Sequence, residues 1–333
     1  MATEQYQTGG LTVEGYKTYN RRLLSRFRSE NVYNKYGSQD GVPKNGGKAM
    51  SWRKMEIIWP TGNIATFGAQ ASANSLLLTE GTPPAATSAT WSEVVGTVSQ
   101  YGQYSLISDL AADQSVDSVV PEYTENYSES MRDCLDLVAR DVLVAGTNVQ
   151  YASTAGSRAM VGSGMYLSLA ELRRAKRTLK KSNARPLRSA ANKFVVITNP
   201  DGVYDLEGDT NISTPWQNAG NRGDSNQIWD TTYQDLPNGF RLQETTLARV
   251  FASAGLSGAD VIATMVLAEE AYGTLKLDAM PAGIIAKERG SAGTNDPLNQ
   301  VASVGWKAAH TAVILNQLNL VRIEHASSAK PAA

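Results

Sequence analysis

Apolar positions along this chain recur with two periods, and the switches between them mark out its elements. Tyr123, Tyr127, Met131, Leu135, Val138, Val142, Ala145 and Val149 step by three or four residues, which predicts a helix of about seven turns with one buried stripe. Pro121 suits its first turn, and Glu122 and Glu125 complement the positive helix end. Ser168-Leu169-Ala170-Glu171 is a capping box, with Leu167 placed to staple onto Leu172, and opens a second helix to about residue 181. Strands are predicted at 50–59, 93–107, 193–198, 240–245, 261–268, 284–286 and 320–325. The strand at 193–198 ends in Asn199-Pro200-Asp201-Gly202, which reads as a turn. Residues 301–315 fit either a helix on Val304, Ala308, Ala312 and Leu315 or a strand with a short turn.

The polar stretches are as informative. Residues 1–47 are poor in aliphatics, rich in Tyr, Asn, Gln, Gly and Arg, and end in Gly46-Gly47, so they read as an arm lying off the core. Between the strands at 50–59 and 93–107 lie Gly62, Gly68 and the turn-rich Gly81-Thr82-Pro83-Pro84, the pattern of a long two-stranded excursion. Such a ribbon is marginal alone and needs a partner surface. Residues 207–239 form a Gly, Asn and Asp insertion, and 290–299 a polar loop.

Composition narrows the classes. With 333 residues, 42% of them apolar, the chain can bury a sizeable core of about two domains or one elaborate one. Thirty-one basic against 32 acidic side chains leave a net charge of −1, so no whole-chain field attracts nucleic acid or an anionic membrane. The single cysteine, Cys134, makes no internal disulfide and fits a buried position beside the helical stripe. No apolar run approaches the roughly 18 residues of a membrane span, and residues 1–10 carry no apolar signal core, so neither a membrane partner nor a cleaved leader is expected.

Candidate chemistry is sparse. Residues 41–48 suggest a phosphate loop, but Val42 stands where its first glycine belongs and Ala49 where the metal-binding hydroxyl belongs, so they read as a hinge. Nucleophile elbows and paired-histidine metal motifs are absent from the sequence, and His310 and His325 are expected to be structural. Asp201, Asp205 and Asp209 step by four, unlike calcium-loop ligands, and read as a solvated turn. No catalytic residue, metal ligand or cofactor site is assigned. Arg222-Gly223-Asp224 is an integrin-type tripeptide in a loop, which leaves an adhesion module as one alternative.

Charge is segregated along the chain. Asp109, Asp113, Asp117, Glu122, Glu125, Glu129, Asp133, Asp136 and Asp141 face only Arg132 and Arg140, whereas Arg173, Arg174, Lys176, Arg177, Lys180, Lys181, Arg185, Arg188 and Lys193 oppose only Glu171. Opposed blocks on a nearly neutral chain suit head-to-tail contact between identical subunits, and two solvated helix faces are the plainer alternative. The residues expected at such contacts are Arg21, Arg22, Arg26 and Arg28 in the arm, Trp52 and Trp59 at the ribbon base, and Glu122, Glu125 and Glu129 against Arg173, Arg174, Arg177, Lys180 and Lys181.

The order of polar arm, long two-stranded loop, acidic spine helix, capped helix in a mixed domain and returning strands resembles the tailed-bacteriophage major capsid proteins of the Hong Kong 97 type. Val98-Ser99-Gln100-Tyr101-Gly102 with Leu106-Ile107-Ser108-Asp109-Leu110 resembles the N-four-like branch of that family. So do Glu288-Arg289-Gly290-Ser291-Ala292-Gly293-Thr294-Asn295-Asp296-Pro297-Leu298-Asn299-Gln300, Gly305-Trp306-Lys307 and Leu320-Val321-Arg322-Ile323-Glu324. The resemblance implies an α+β fold with an arm (1–47), an extended loop (48–108), a peripheral domain (109–160 and 284–333) and an axial domain (161–283). It favours strand over helix at 301–308. It also implies a structural protein without catalysis, assembled in the host cytoplasm into hexamers and pentamers of an icosahedral head. Its partners would be itself, a portal protein, decoration proteins and double-stranded DNA held by weak, non-specific contact. A cellular nanocompartment shell of the same fold, enclosing protein cargo, is the second alternative.

Overall fold

The computed structural model describes residues 31–55, 78, 80, 81, 88, 90–114, 119–209, 235, 236, 238–291 and 296–329. The predicted spine helix is α2 (Val119–Val144), with Pro121 in its first turn and a short α1 (Asp109–Gln114) before it. It stops earlier than the apolar stripe suggested, because Gly146 packs against Leu320 too closely for a Cβ and Val149 enters strand β5 (Val149–Tyr151).

α2 bridges two sheets. Its first half lays Tyr127, Met131 and Leu135 on Ile107, Val304, Trp306 and Ala308 of the first sheet. That sheet is built on β13 (Val301–Ile314), so 301–314 is one long strand and the helical alternative falls. β4 (Ser99–Ser108) pairs along one edge, while β12 (Gly283–Lys287) and β11 (Tyr272–Leu277) follow each other along the other, all antiparallel. β1 (Ser38–Val42) adds in parallel to β11. The second half of α2 sets Ala139 and Leu143 on the second sheet, ordered β5, β14 (Leu320–His325), β10 (Val261–Leu267), β6 (Phe194–Thr198), β8 (Phe240–Glu244), β7 (Asp235–Leu236), with β9 (Val250–Phe251) on β10.

The second sheet is covered on both faces, which is why β6 and β10 are apolar without alternation. Val195 and Ile197 face α2, whereas Phe194 and Val196 face α3 (Leu169–Lys181) and α4 (Pro200–Gly208). α3 begins as expected: Ser168 Oγ accepts from Glu171 N at 3.5 Å, and Leu167 and Leu172 share one cluster. The reciprocal half of the capping box does not form. Glu171 instead accepts from Gln150 Nε2 at 2.7 Å and Ser153 N at 3.0 Å, and Asp209 Oδ2 accepts from Leu169 N at 2.8 Å.

Other expectations need correction. Asn199-Pro200 opens α4 rather than closing a turn: Asn199 Oδ1 caps Gly202 N at 2.8 Å with Pro200 in the first turn. Asp205 is buried and accepts from Ser328 N at 3.1 Å, so 201–209 is not a solvated turn. The strand predicted at 93–107 is two: β3 (Trp91–Thr97) pairs with β2 (Ala49–Met55) as the ribbon base, and the chain changes partner at Val98, whose N donates to Lys48 O at 2.8 Å. The first 47 residues are not all off the core. Val32, Tyr33 and Val42 are buried, and Val32 N and Asn34 N donate to the buried carboxylate of Asp136 on α2 at 3.3 and 2.8 Å. Residues 41–48 join strand to strand, without the helix that a phosphate loop precedes.

Candidate subunit interface

The first sheet has one covered face and one open one. Alternation along β4 and β13 sends Tyr101, Ile107, Val304, Trp306 and Ala308 toward α2. The opposite face carries Tyr104, Leu106 and Ile285, respectively 71%, 64% and 49% exposed, around Gly305 and Gly102. They line a groove of about 550 Å³ flanked by Lys287 and Lys307. At Gly305 an added Cβ would lie 2.6 Å from that of Tyr104, so the glycine lets β4 and β13 approach closely here.

The ribbon base offers a second apolar surface. Cross-strand register puts Met55 opposite Trp91 and Arg53 opposite Glu93 on the face that also holds Val95. Met55, Trp91 and Val95 are all about half exposed or more. Its other face is anchored: the Trp52 indole lies over Gly273 of β11, where a Cβ would come within 2.8 Å of the ring, and its Nε1 donates to Asp40 Oδ2 at 2.7 Å. Trp52 is therefore engaged inside its own chain, tying ribbon, β1 and β11 together. Sequence spacing could not reveal that use.

The opposed charge blocks are separated in space as well as along the chain, α2 bridging the sheets and α3 covering the far face of the second. Glu125 is exposed and Glu122 and Glu129 are half-buried, and each already has a contact within the chain. On α3, Arg174 donates to the carbonyls of Tyr151 and Ser153 at 3.1 Å, and Lys180 lies 5.5 Å from the centre of the Phe194 ring. Lys181 also has a contact. Arg173 and Arg177, one turn apart, are exposed and without an ion pair among the described residues, as is Lys180 beyond its ring contact. Arg21, Arg22, Arg26, Arg28, Trp59 and the Arg222-Gly223-Asp224 tripeptide lie outside the described residues.

Both histidines are buried, and the single cysteine is half-buried. His325 is wholly buried: its Nδ1 donates to Ala326 O and its Nε2 contacts Thr264 Oγ1, both at 2.8 Å, and burial pushes its pKa down to about 4. His310 is buried on β13, which lowers its pKa too, and burial raises that of the half-buried Cys134 thiol. Among the described residues no cluster of His, Cys, Asp or Glu could hold a metal ion, and no helix is long and apolar enough to cross a membrane. The described parts of the 288–300 motif, 288–291 and 296–300, act as a clasp. Arg289 grips Asp113 of α1 through Nη2 at 2.5 Å, Asp296 accepts from Gln300 N and Val301 N at 3.1 and 2.8 Å, and Asp109 N donates to Gln300 O at 2.9 Å. It ties the start of β13 to the junction of β4 and α1.

Comparison with known proteins agrees with this architecture. The structure resembles the capsid of cyanophage Pam1 (TM-score 0.70, 12% identity, 98% of this chain and 100% of that one). It also resembles the capsids of Ralstonia phage GP4 (0.67, 10%, 98% and 99%) and cyanophage P-SCSP1u (0.66, 15%, 94% and 93%). No curated protein matches the sequence. At these identities the likeness establishes the fold, the Hong Kong 97-type arrangement that the sequence motifs resemble. The phage capsid protein family matches residues 91–323, which span β3 through most of β14. The chain belongs to the phage capsid protein family.

Proposed function

We propose that this structural protein is the major capsid protein of a tailed phage, close to the N-four-like branch, closing into hexamers and pentamers of an icosahedral head around double-stranded DNA. The observation that carries this reading is a pair of apolar surfaces exposed among the described residues of a chain of this family: the ribbon face of Met55, Trp91 and Val95, and the outer sheet face of Tyr104, Leu106 and Ile285. Both are exposed, so the ribbon base of one copy covers the sheet of the next, a heterologous contact that closes into rings. Many weak copies of it then hold the shell. In the same reading 1–47 is the arm, 48–108 the extended loop, 109–160 with 284–333 the peripheral domain and 161–283 the axial domain. Arg173 and Arg177 meet the acidic end of a neighbour's spine, and portal and decoration proteins attach to the finished lattice. The assembled product is the virion capsid.

Negative-stain microscopy of the purified protein tests this, with Tyr104→Asp and Leu106→Asp combined as the perturbation. Closed particles are expected from the natural chain, and from the variant a folded subunit with an unchanged melting temperature and no particles. Wild-type yields of shells from the variant would refute the assignment of the sheet face. Protein cargo in place of nuclease-protected DNA would refute the assignment to a phage head.

A further inference from the structure

The C-terminal end of α2 borders a cavity of about 460 Å³ whose charges do not balance. Asp141, Arg158, Arg249, Phe251 and Arg322 line it with the backbone of 144–146. Glu324, with no exposed surface, receives Nε and Nη2 of Arg158 at 2.8 and 2.7 Å and lies 2.8 Å from Nε of Arg322. Arg322 turns its Nη1 onto the carbonyls of Val144 and Gly146, closing the helix end. Asp141 is held by its neighbour Arg140 at 2.7 Å. One buried carboxylate thus answers two guanidiniums. A third, Arg249, has no carboxylate partner among the described residues. Its Cζ lies 5.5 Å from the centre of the Phe251 ring, against which Arg158 stacks at 3.5 Å.

The surplus is two positive charges around an open depression, which attracts anions. Guanidinium forks match planar pairs of oxyanion oxygens, and a dianion neutralises the surplus. Glu324 and the end of α2 already fix Arg158 and Arg322, so little ordering remains to be done by a ligand. We propose that this cavity is a phosphate-binding site, with Arg249 and Arg158 as its direct ligands and Arg322 supplying field from behind. The phosphate is inorganic or belongs to a nucleic acid backbone, and the site is independent of the apolar surfaces proposed for assembly.

Thermal unfolding of the full chain in millimolar inorganic phosphate, against sodium chloride of equal ionic strength, tests the site, with a parallel arm containing a short DNA duplex. A rise of several degrees is expected in at least one arm. Phosphate also stabilises proteins by exclusion from their surface, so each arm is repeated with Arg249→Ala, an exposed position whose loss leaves the core intact. The rise should vanish in Arg249→Ala and return in part with Arg249→Lys. A response in the phosphate arm identifies the free ion, and one in the duplex arm alone identifies the nucleic acid backbone. No rise in either arm, or the same rise in wild type and Arg249→Ala, overturns the proposal.

Discussion

Two buried groups titrate in opposite senses across the same pH range, and separating them tests the burial assigned to both. Burial lowers the pKa of His325 from 6.5 to about 4, since the wholly buried ring, hydrogen-bonded to Ala326 O and Thr264, is favoured in its neutral form. As pH falls from 6.5 toward 4 the unfolded chain takes up this proton and the folded one does not, so stability is lost, by about 3 kcal/mol in all. Burial raises Asp136 from 3.8 to about 6 despite the amides of Val32 and Asn34 that donate to it. The folded state therefore holds that proton up to about pH 6. Its contribution is present below 3.8 and lost as pH rises through 6, again about 3 kcal/mol. The two offset each other between pH 6 and 4. Urea unfolding of the wild type, Asp136→Asn and His325→Asn at a series of pH values resolves them, because all other carboxylates cancel in the differences. Asp136→Asn should lose about 3 kcal/mol relative to wild type as pH falls from 6.5 to 4, whatever its stability at neutral pH. His325→Asn should gain a comparable amount over the same interval. A pH profile of Asp136→Asn parallel to that of the wild type would mean that Asp136 is hydrated in the folded protein and that the reasoning is wrong.

Two further outcomes are expected. Arg158→Ala leaves the buried Glu324 carboxylate with Arg322 alone and should cost about 3–5 kcal/mol, read from the denaturation midpoint at pH 7. A loss under about 1 kcal/mol would show that Glu324 is compensated without it. Arg173→Glu combined with Arg177→Glu should leave thermal stability within about 0.5 kcal/mol of wild type, since both side chains are exposed, while light scattering reports a loss of particles. Undiminished assembly would remove the basic face of α3 from the contact.

Elements governed by local rules were legible in the sequence. α3 begins at its Ser168 cap, β6 and β14 fall on their apolar runs, and α2 follows its three-four stripe, because caps, periodicity and continuous burial are written into neighbouring residues. The tertiary structure decided whatever depends on a partner distant in the chain. β1 has almost no apolar signal and exists because β11, more than 230 residues later, offers a ladder edge. Val32 and Tyr33 enter the core because Asp136 on α2 accepts the amides beside them, which also removes one of the acidic block's charges from the surface. Residues 93–107 divide at Val98 because the ribbon and the sheet compete for the same run. The interface candidates divide in the same way. Composition could name Trp52 and Arg174 as available, but only packing shows them committed to Asp40 and to the carbonyls of 151 and 153, while it leaves Tyr104, Leu106 and Ile285 uncovered. A side chain's type is local information, whereas the satisfaction of its donors and of its apolar surface is set by atoms that folding brings in from elsewhere.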